Sequence, residues 1–267
     1  MTIDAHHHLG QGPDYIDRLY EACQRLGIQH VCLLGLPDWV WEGCASNDRV
    51  EAAFRQYPDC FIGFAFIQLG EDAPEKVSEY HDRGFRGLKL DFPHASYDDP
   101  GYFAIYEQAA RLGMPLYFHT GITGRFSGME KRYISSNFMR PICLDAVAPY
   151  FPELNILLAH TGNPWLDEAA MLLRIHPNLH SDLTGSTLKY RTPEQLRSVL
   201  WWGGDRPYGD QLKRHAFEKI VFGSDVWWDS YEDIRGDYQN LMEKLALPKE
   251  IRAKIWGGTM ASLLGLA

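Results

Sequence analysis

The chain has 267 residues, 45% of them hydrophobic, which is enough for one large core and lies in the size range of single-domain α/β barrels. Its 26 basic and 35 acidic side chains give a formal charge of −9, so no general attraction draws it to nucleic acid or to anionic membranes, and a small-molecule substrate is the expected partner. No run of about 18 apolar residues occurs and the first residues lack the basic and apolar regions of a signal peptide, so a soluble, cytoplasmic protein is expected.

The opening segment Ile3-Asp4-Ala5-His6-His7-His8 reads as a short buried strand that ends in a turn at Leu9-Gly10, and its apolar flanks argue against a leftover purification tag. Extended backbone points His6 and His8 to one face and His7 to the other. A helical stretch over 14–26, stopped by Gly27, precedes a second strand at 30–35. Helix 47–57 and strand 61–67 follow, then helix 73–83, stopped by Gly84, and a fourth strand at 85–91. Helix 102–112, stopped by Gly113, leads to strand 115–121. Strand 155–162, helix 165–175, strand 179–185, strand 219–225 and helices 231–245 and 249–266 complete the order. Eight strands, most followed by a helix, without linker or repeat, predict a single (β/α)8 TIM barrel over 1–267. Cys23, Cys32, Cys44, Cys60 and Cys143 are scattered and odd in number, as reduced packing residues are.

In such a barrel the chemistry sits at the carboxyl ends of the strands. Four strands end in ionisable residues: the first in His6 and His8, the fifth in His119, the sixth in His160 and the eighth in Asp225. Buried groups of this kind are costly unless paired or bound to a metal.

The motifs Asp4-Ala5-His6-His7-His8, Phe118-His119-Thr120-Gly121, Leu158-Ala159-His160-Thr161-Gly162 and Phe222-Gly223-Ser224-Asp225, in this order, resemble the amidohydrolase superfamily. The resemblance is to its amidohydrolase-related branch, which includes the aminocarboxymuconate-semialdehyde decarboxylase group. It implies that His6, His8, His119 and Asp225 hold one divalent metal, with His160 as a proton-transfer or substrate-polarising residue. Thr259 departs from the branch, where Asn is common at that position of the terminal helix. Three imidazoles and one carboxylate suit zinc, with manganese or iron as alternatives, and leave a coordination position for a water. Catalysis is then expected from Asp225, taking a proton, and from His160.

A metal-dependent hydrolase of a small amide, ester or lactone is the leading expectation, and a nonoxidative decarboxylase of an unsaturated or aromatic acid is the alternative. Lys89 on the fourth strand is either a ligand supporting a second metal or an ion-paired barrel residue, and Asp91 reaches a metal only if the strand register shifts by two. The loop 122–139 reads as a lid whose Arg125 and Arg132 could receive a carboxylate, and Trp165 and Trp227 are expected as pocket walls. Trp201 and Trp202 are not assigned to the site. A homo-oligomer is compatible with all of this.

Overall fold

A computed structural model of the chain describes residues 1–200 and 215–266; Trp201 and Trp202 lie outside the described residues. Among the described residues seven parallel strands form one sheet in sequential order: β1 Ile3–His7, β2 His30–Leu34, β3 Phe61–Ile67, β4 Gly87–Leu90, β5 Leu116–Phe118, β6 Ile156–Leu158 and β7 Leu179–Ser181. The helices in chain order are α1 Tyr15–Leu26, α2 Asn47–Gln56, α3 Glu75–Asp82, α4 Phe103–Arg111, α5 Val147–Tyr150 and α6 Leu166–Ile175. They continue with α7 Ser186–Tyr190, α8 Pro193–Leu200, α9 Tyr231–Lys244, α10 Lys249–Ala253 and α11 Thr259–Leu263. Among the described residues no helix is long and apolar enough to cross a membrane.

Both faces of the sheet are covered, which explains why its strands are apolar runs rather than alternating ones. On one face Ile3, Ala5, Cys32, Leu34, Phe64 and Tyr117 pack together, and Met260, Ala261 and Leu264 of the terminal segment close that cluster. On the other face Val31, Leu33, Leu88, Leu90 and Phe118 meet helix residues such as Leu19, Val50, Ile105 and Leu172. Gly27 ends α1 in the left-handed conformation (φ 65°), and Ile28 donates back to the Cys23 carbonyl at 2.9 Å, the glycine stop that the sequence predicts.

The expected eighth strand, 219–225, is not a ladder strand. Ala216–Lys219 is a 3-10 turn, and residues 220–225 bond to both edges of the curled sheet without forming a regular ladder. Val221 donates to the Ser181 carbonyl, and Ala5 donates to the Phe222 carbonyl, each at 2.9 Å. Regular pairing fails because the Phe222 N–H is spent on the Ile255 carbonyl (2.8 Å) and Asp225 turns to φ 46°. The expected helix 249–266 is divided into α10, a π turn at Lys254–Gly258 in which Gly257 leaves helical backbone, and α11. Gly257 in that turn lies against β1, where an added Cβ would stand 2.9 Å from the Ile3 nitrogen.

A second irregularity sits in β1. Asp4 pairs with Val31 but His7 with Leu33, so three steps of β1 face two of β2, a bulge. Asp4 accepts from the Ser224 N–H (2.8 Å), the Ser224 hydroxyl (2.6 Å) and the Tyr231 hydroxyl (2.6 Å), which ties the bulged strand to the segment carrying Asp225.

Under β7 the buried Lys219 ammonium donates to the carbonyls of His176 (2.8 Å), Pro177 (2.9 Å) and Leu179 (2.8 Å). Lys219→Met removes the shared donor of three largely buried acceptors and is expected to cost about 3 kcal/mol of stability. A urea midpoint equal to wild type, followed by circular dichroism, would rule that out.

Candidate functional site

The carboxyl ends of the strands surround a cavity of about 470 Å³. His8 enters it from the end of β1, Asp91 from β4, His119 from β5, His160 from β6 and Asp225 from the 220–225 segment. His6 is buried behind this lining at 1% exposure, with its Nε2 3.2 Å from His8 Nε2 and 3.8 Å from Asp225 Oδ1. His160 Nδ1 lies 3.9 Å from Asp225 Oδ2. Ala5 belongs to the sheet-lined core cluster and His6 faces the same side, a double placement that the β1 bulge permits. His7 points to the helices, where it meets the Tyr15 hydroxyl (3.0 Å) and the Ser224 hydroxyl (3.1 Å); burial pushes its pKa down to about 3.

Hydrogen bonds assign the ring protons. His8 Nδ1 faces the Leu34 carbonyl at 2.8 Å and must donate to it. His6 Nδ1 faces Asp182 Oδ2 at 2.7 Å and donates there. With both rings neutral, each Nε2 carries a lone pair, and the two atoms lie 3.2 Å apart. At that distance the pair needs a proton on one nitrogen or a metal ion between the two. Nitrogens each about 2.1 Å from a common zinc stand roughly 3.0 to 3.4 Å apart, so the donor pair fits a metal.

Burial pushes the pKa of His8 well below the ordinary imidazole value, with help from His6 and Lys89, and so favours the neutral, ligating form. His119 is pushed well down in the same way, by burial and then by His160 and Lys89. Its Nε2 is buried without a hydrogen-bond partner among the described residues, and its Nδ1 lies 3.6 Å from Asp91 Oδ2. Among the described residues, donor atoms of His6, His160 and Asp225 all lie within 4.8 Å of one another. This tight triple contains His160, expected as a non-ligand, and leaves out His119, expected as a ligand.

Asp91 follows β4 and lines the cavity without a shift of register by two, and burial raises its pKa to about 6. Lys89 is 1% exposed, with its ammonium 5.7 Å from the centre of the Tyr117 ring and no hydrogen-bond partner among the described residues. Burial pulls its pKa below the usual lysine range.

Sequence reasoning missed Asp182, just past β7, although the rule applied to the other strands would have found it. The polar His180 and Ser181 before it hid the strand end. Burial alone would raise the Asp182 carboxyl, but the facing His6, its hydrogen bond, His160 and Thr184 hold it below the usual carboxylate range.

Aromatic rings form part of the wall: Trp41, Phe92, Phe126 and Trp227 line the cavity, and the 122–139 loop contributes Ile122, Thr123, Gly124 and Phe126 rather than its cations. Arg125 is exposed and absent from the lining. Arg132 stacks 4.6 Å over Trp39 beside a separate cavity. Trp165 lies under Arg140, 5.1 Å away, and does not line the site. Arg132 is held on an aromatic face and Arg140 by both a ring and the Glu168 carboxylate, which keeps both away from the cavity. Of Trp165 and Trp227, Trp227 lines the cavity, as does Trp41 of the loop after β2; Lys189 of α7 supplies a cation to the lining.

Four lining residues, Trp41, Phe92, His160 and Asp225, have φ between 46° and 61°. Such backbone costs on the order of 1 kcal/mol or more per residue, and here it turns functional side chains into the cavity.

The sequence model of the family described as amidohydrolase matches residues 3–266. A dihydroorotase of Serratia proteamaculans (strain 568) is 27% identical over 177 residues, 62% of this chain and 47% of that protein, so the match spans about half its length. Among solved structures, an uncharacterized TIM-barrel protein from Bordetella bronchiseptica superposes with a TM-score of 0.71 at 20% identity, over 99% of this chain and 98% of the other. A 5-carboxyvanillate decarboxylase from Novosphingobium aromaticivorans, solved with manganese and a nitrobenzoic acid, gives a TM-score of 0.61 at 14% identity, over 99% and 96%. At these identities the two structures speak for the fold.

Proposed function

The chain belongs to the amidohydrolase family, metal-dependent enzymes acting on small molecules, and on that premise we propose that it hydrolyses a small amide, ester or lactone. The observation that carries the reading is the 3.2 Å contact between His6 Nε2 and His8 Nε2, beside Asp225 at the buried end of the cavity. In this reading residues 220–225 are the eighth stave of a (β/α)8 barrel, one domain over the whole chain. His6, His8, His119 and Asp225 hold one divalent ion, zinc first, with manganese suggested by the Novosphingobium relative. When bound, the ion supplies Lewis-acid activation of a water and of the scissile group.

The chain's own residues do the rest. The Asp225 carboxylate, open to the cavity, takes the proton that a water loses on attack. Thr184 accepts from His160 Nδ1 at 2.7 Å, which leaves His160 Nε2 as the atom that can exchange a proton with the reacting group. Trp41, Phe126 and Trp227 limit bulk water around the floor. His160→Gln is expected to keep one metal per chain and lower kcat about 100-fold; loss of the metal would instead make His160 a ligand.

The aromatic walls favour one second reading, decarboxylation of an aromatic or unsaturated acid, the activity in the Novosphingobium relative's name. A panel of lactones, esters, amides and aromatic acids, followed by product analysis and carbon dioxide detection, separates the two. Carbon dioxide release without any hydrolytic product reverses the order.

A further inference from the structure

Asp182 receives five donors. His160 N–H (2.7 Å), Thr184 N–H (2.8 Å) and the Thr184 hydroxyl (2.6 Å) reach Oδ1, while His6 Nδ1 (2.7 Å) and the Tyr117 hydroxyl (2.5 Å) reach Oδ2. A carboxylate has about four acceptor sites, so it is saturated and carries no proton. The side chain is wholly buried and touches the two histidines that the proposed chemistry needs, one through its ring and the other through its backbone and Thr184.

We propose that Asp182 is the positioning residue of the site, holding His6 with its proton on Nδ1 and, through Thr184, holding His160 in the same tautomer. The inference rests on the metal-site reading above but is read out separately from it. Because Oδ1 takes the Thr184 hydroxyl proton, Thr184 Oγ1 can only accept from His160 Nδ1 at 2.7 Å. In the neutral rings Asp182 thereby leaves both Nε2 lone pairs available, that of His6 toward His8 and that of His160 for the substrate. It also anchors the His160 backbone, whose φ of 61° needs such a tie.

Asp182→Asn makes a sharp test. The two backbone N–H groups require the amide oxygen at the Oδ1 position, so the amide NH2 faces His6 Nδ1. His6 must then accept at Nδ1 and carry its proton on Nε2, against His8 and away from ligation. Cobalt(II) serves as the probe metal, with binding followed by its visible absorption and by calorimetry. Asp182→Asn is expected to weaken cobalt affinity 10- to 100-fold with the far-ultraviolet circular dichroism unchanged. Thr184→Val is expected to keep cobalt affinity within about threefold while moving the His160 tautomer.

Nitrogen-15 spectra of the histidine rings in the metal-free wild type read the tautomers directly, even if Asp182→Asn fails to fold. Protons on Nδ1 of His6 and His160 are expected. An Nε2 proton on either ring, or wild-type cobalt affinity in a folded Asp182→Asn chain, overturns the proposal. A wild type that binds no cobalt but shows both Nδ1 protons overturns the metal reading and leaves the positioning role standing.

Discussion

Asp225→Asn is expected to leave a folded chain whose kcat falls about 10³-fold, a loss of roughly 4 kcal/mol in transition-state stabilisation. The fold should survive because the contact that places residue 225 is made by its backbone, whose N–H donates to the His6 carbonyl at 2.8 Å. Asparagine keeps the shape of the side chain and one acceptor oxygen. What it loses is the capacity to take a proton and the charge that faces His6 (3.8 Å) and His160 (3.9 Å). Steady-state kinetics on the wild-type substrate, with metal content measured on the same sample, gives the answer. Full turnover by the variant would remove Asp225 from the mechanism. Lost metal with a proportionate loss of rate would confine it to ligation.

Removing the metal should have the larger structural consequence. A ligand that binds only the folded chain stabilises it by about 4 kcal/mol at a thousand times its dissociation constant. For a chain of this length that is roughly 8 °C in Tm. The origin is local: the proposed ion ties together His6 and His8 Nε2, 3.2 Å apart, beside a buried His119 Nε2 with no described partner. Dialysis against a chelator is therefore expected to abolish activity and lower Tm, with zinc or manganese restoring both. An unchanged Tm in a sample shown to be metal-free would mean that these imidazoles are satisfied without a cation.

The strand order and the helix stops were legible because they are local. Gly27 marks the end of α1, and seven of the eight expected strands appear with their ends moved by a few residues. The eighth does not appear as a ladder strand, although its apolar run, Ile220-Val221-Phe222, looks like one in isolation. Whether it pairs depends on the Ile255 carbonyl, 33 positions later, which takes the Phe222 N–H. The pocket walls were read less well: the cations of the 122–139 loop suggested a carboxylate site, but Arg132 stacks on Trp39 while Phe126 turns inward. Loop charges carry no periodicity, so nothing in the sequence says which side chain faces the cavity.

By itself the sequence determined that imidazoles and a carboxylate end several parallel strands, and that His6 and His8 share a face, because strand alternation is a short-range property of the backbone. Only the tertiary structure decided how those groups are aimed. The β1 bulge sets His6 on the same side as Ala5, and Asp182, 176 positions away, sets which nitrogen of His6 carries the proton. Both come from hydrogen bonds between distant segments, and a ring's proton follows its partner rather than its neighbours in the chain.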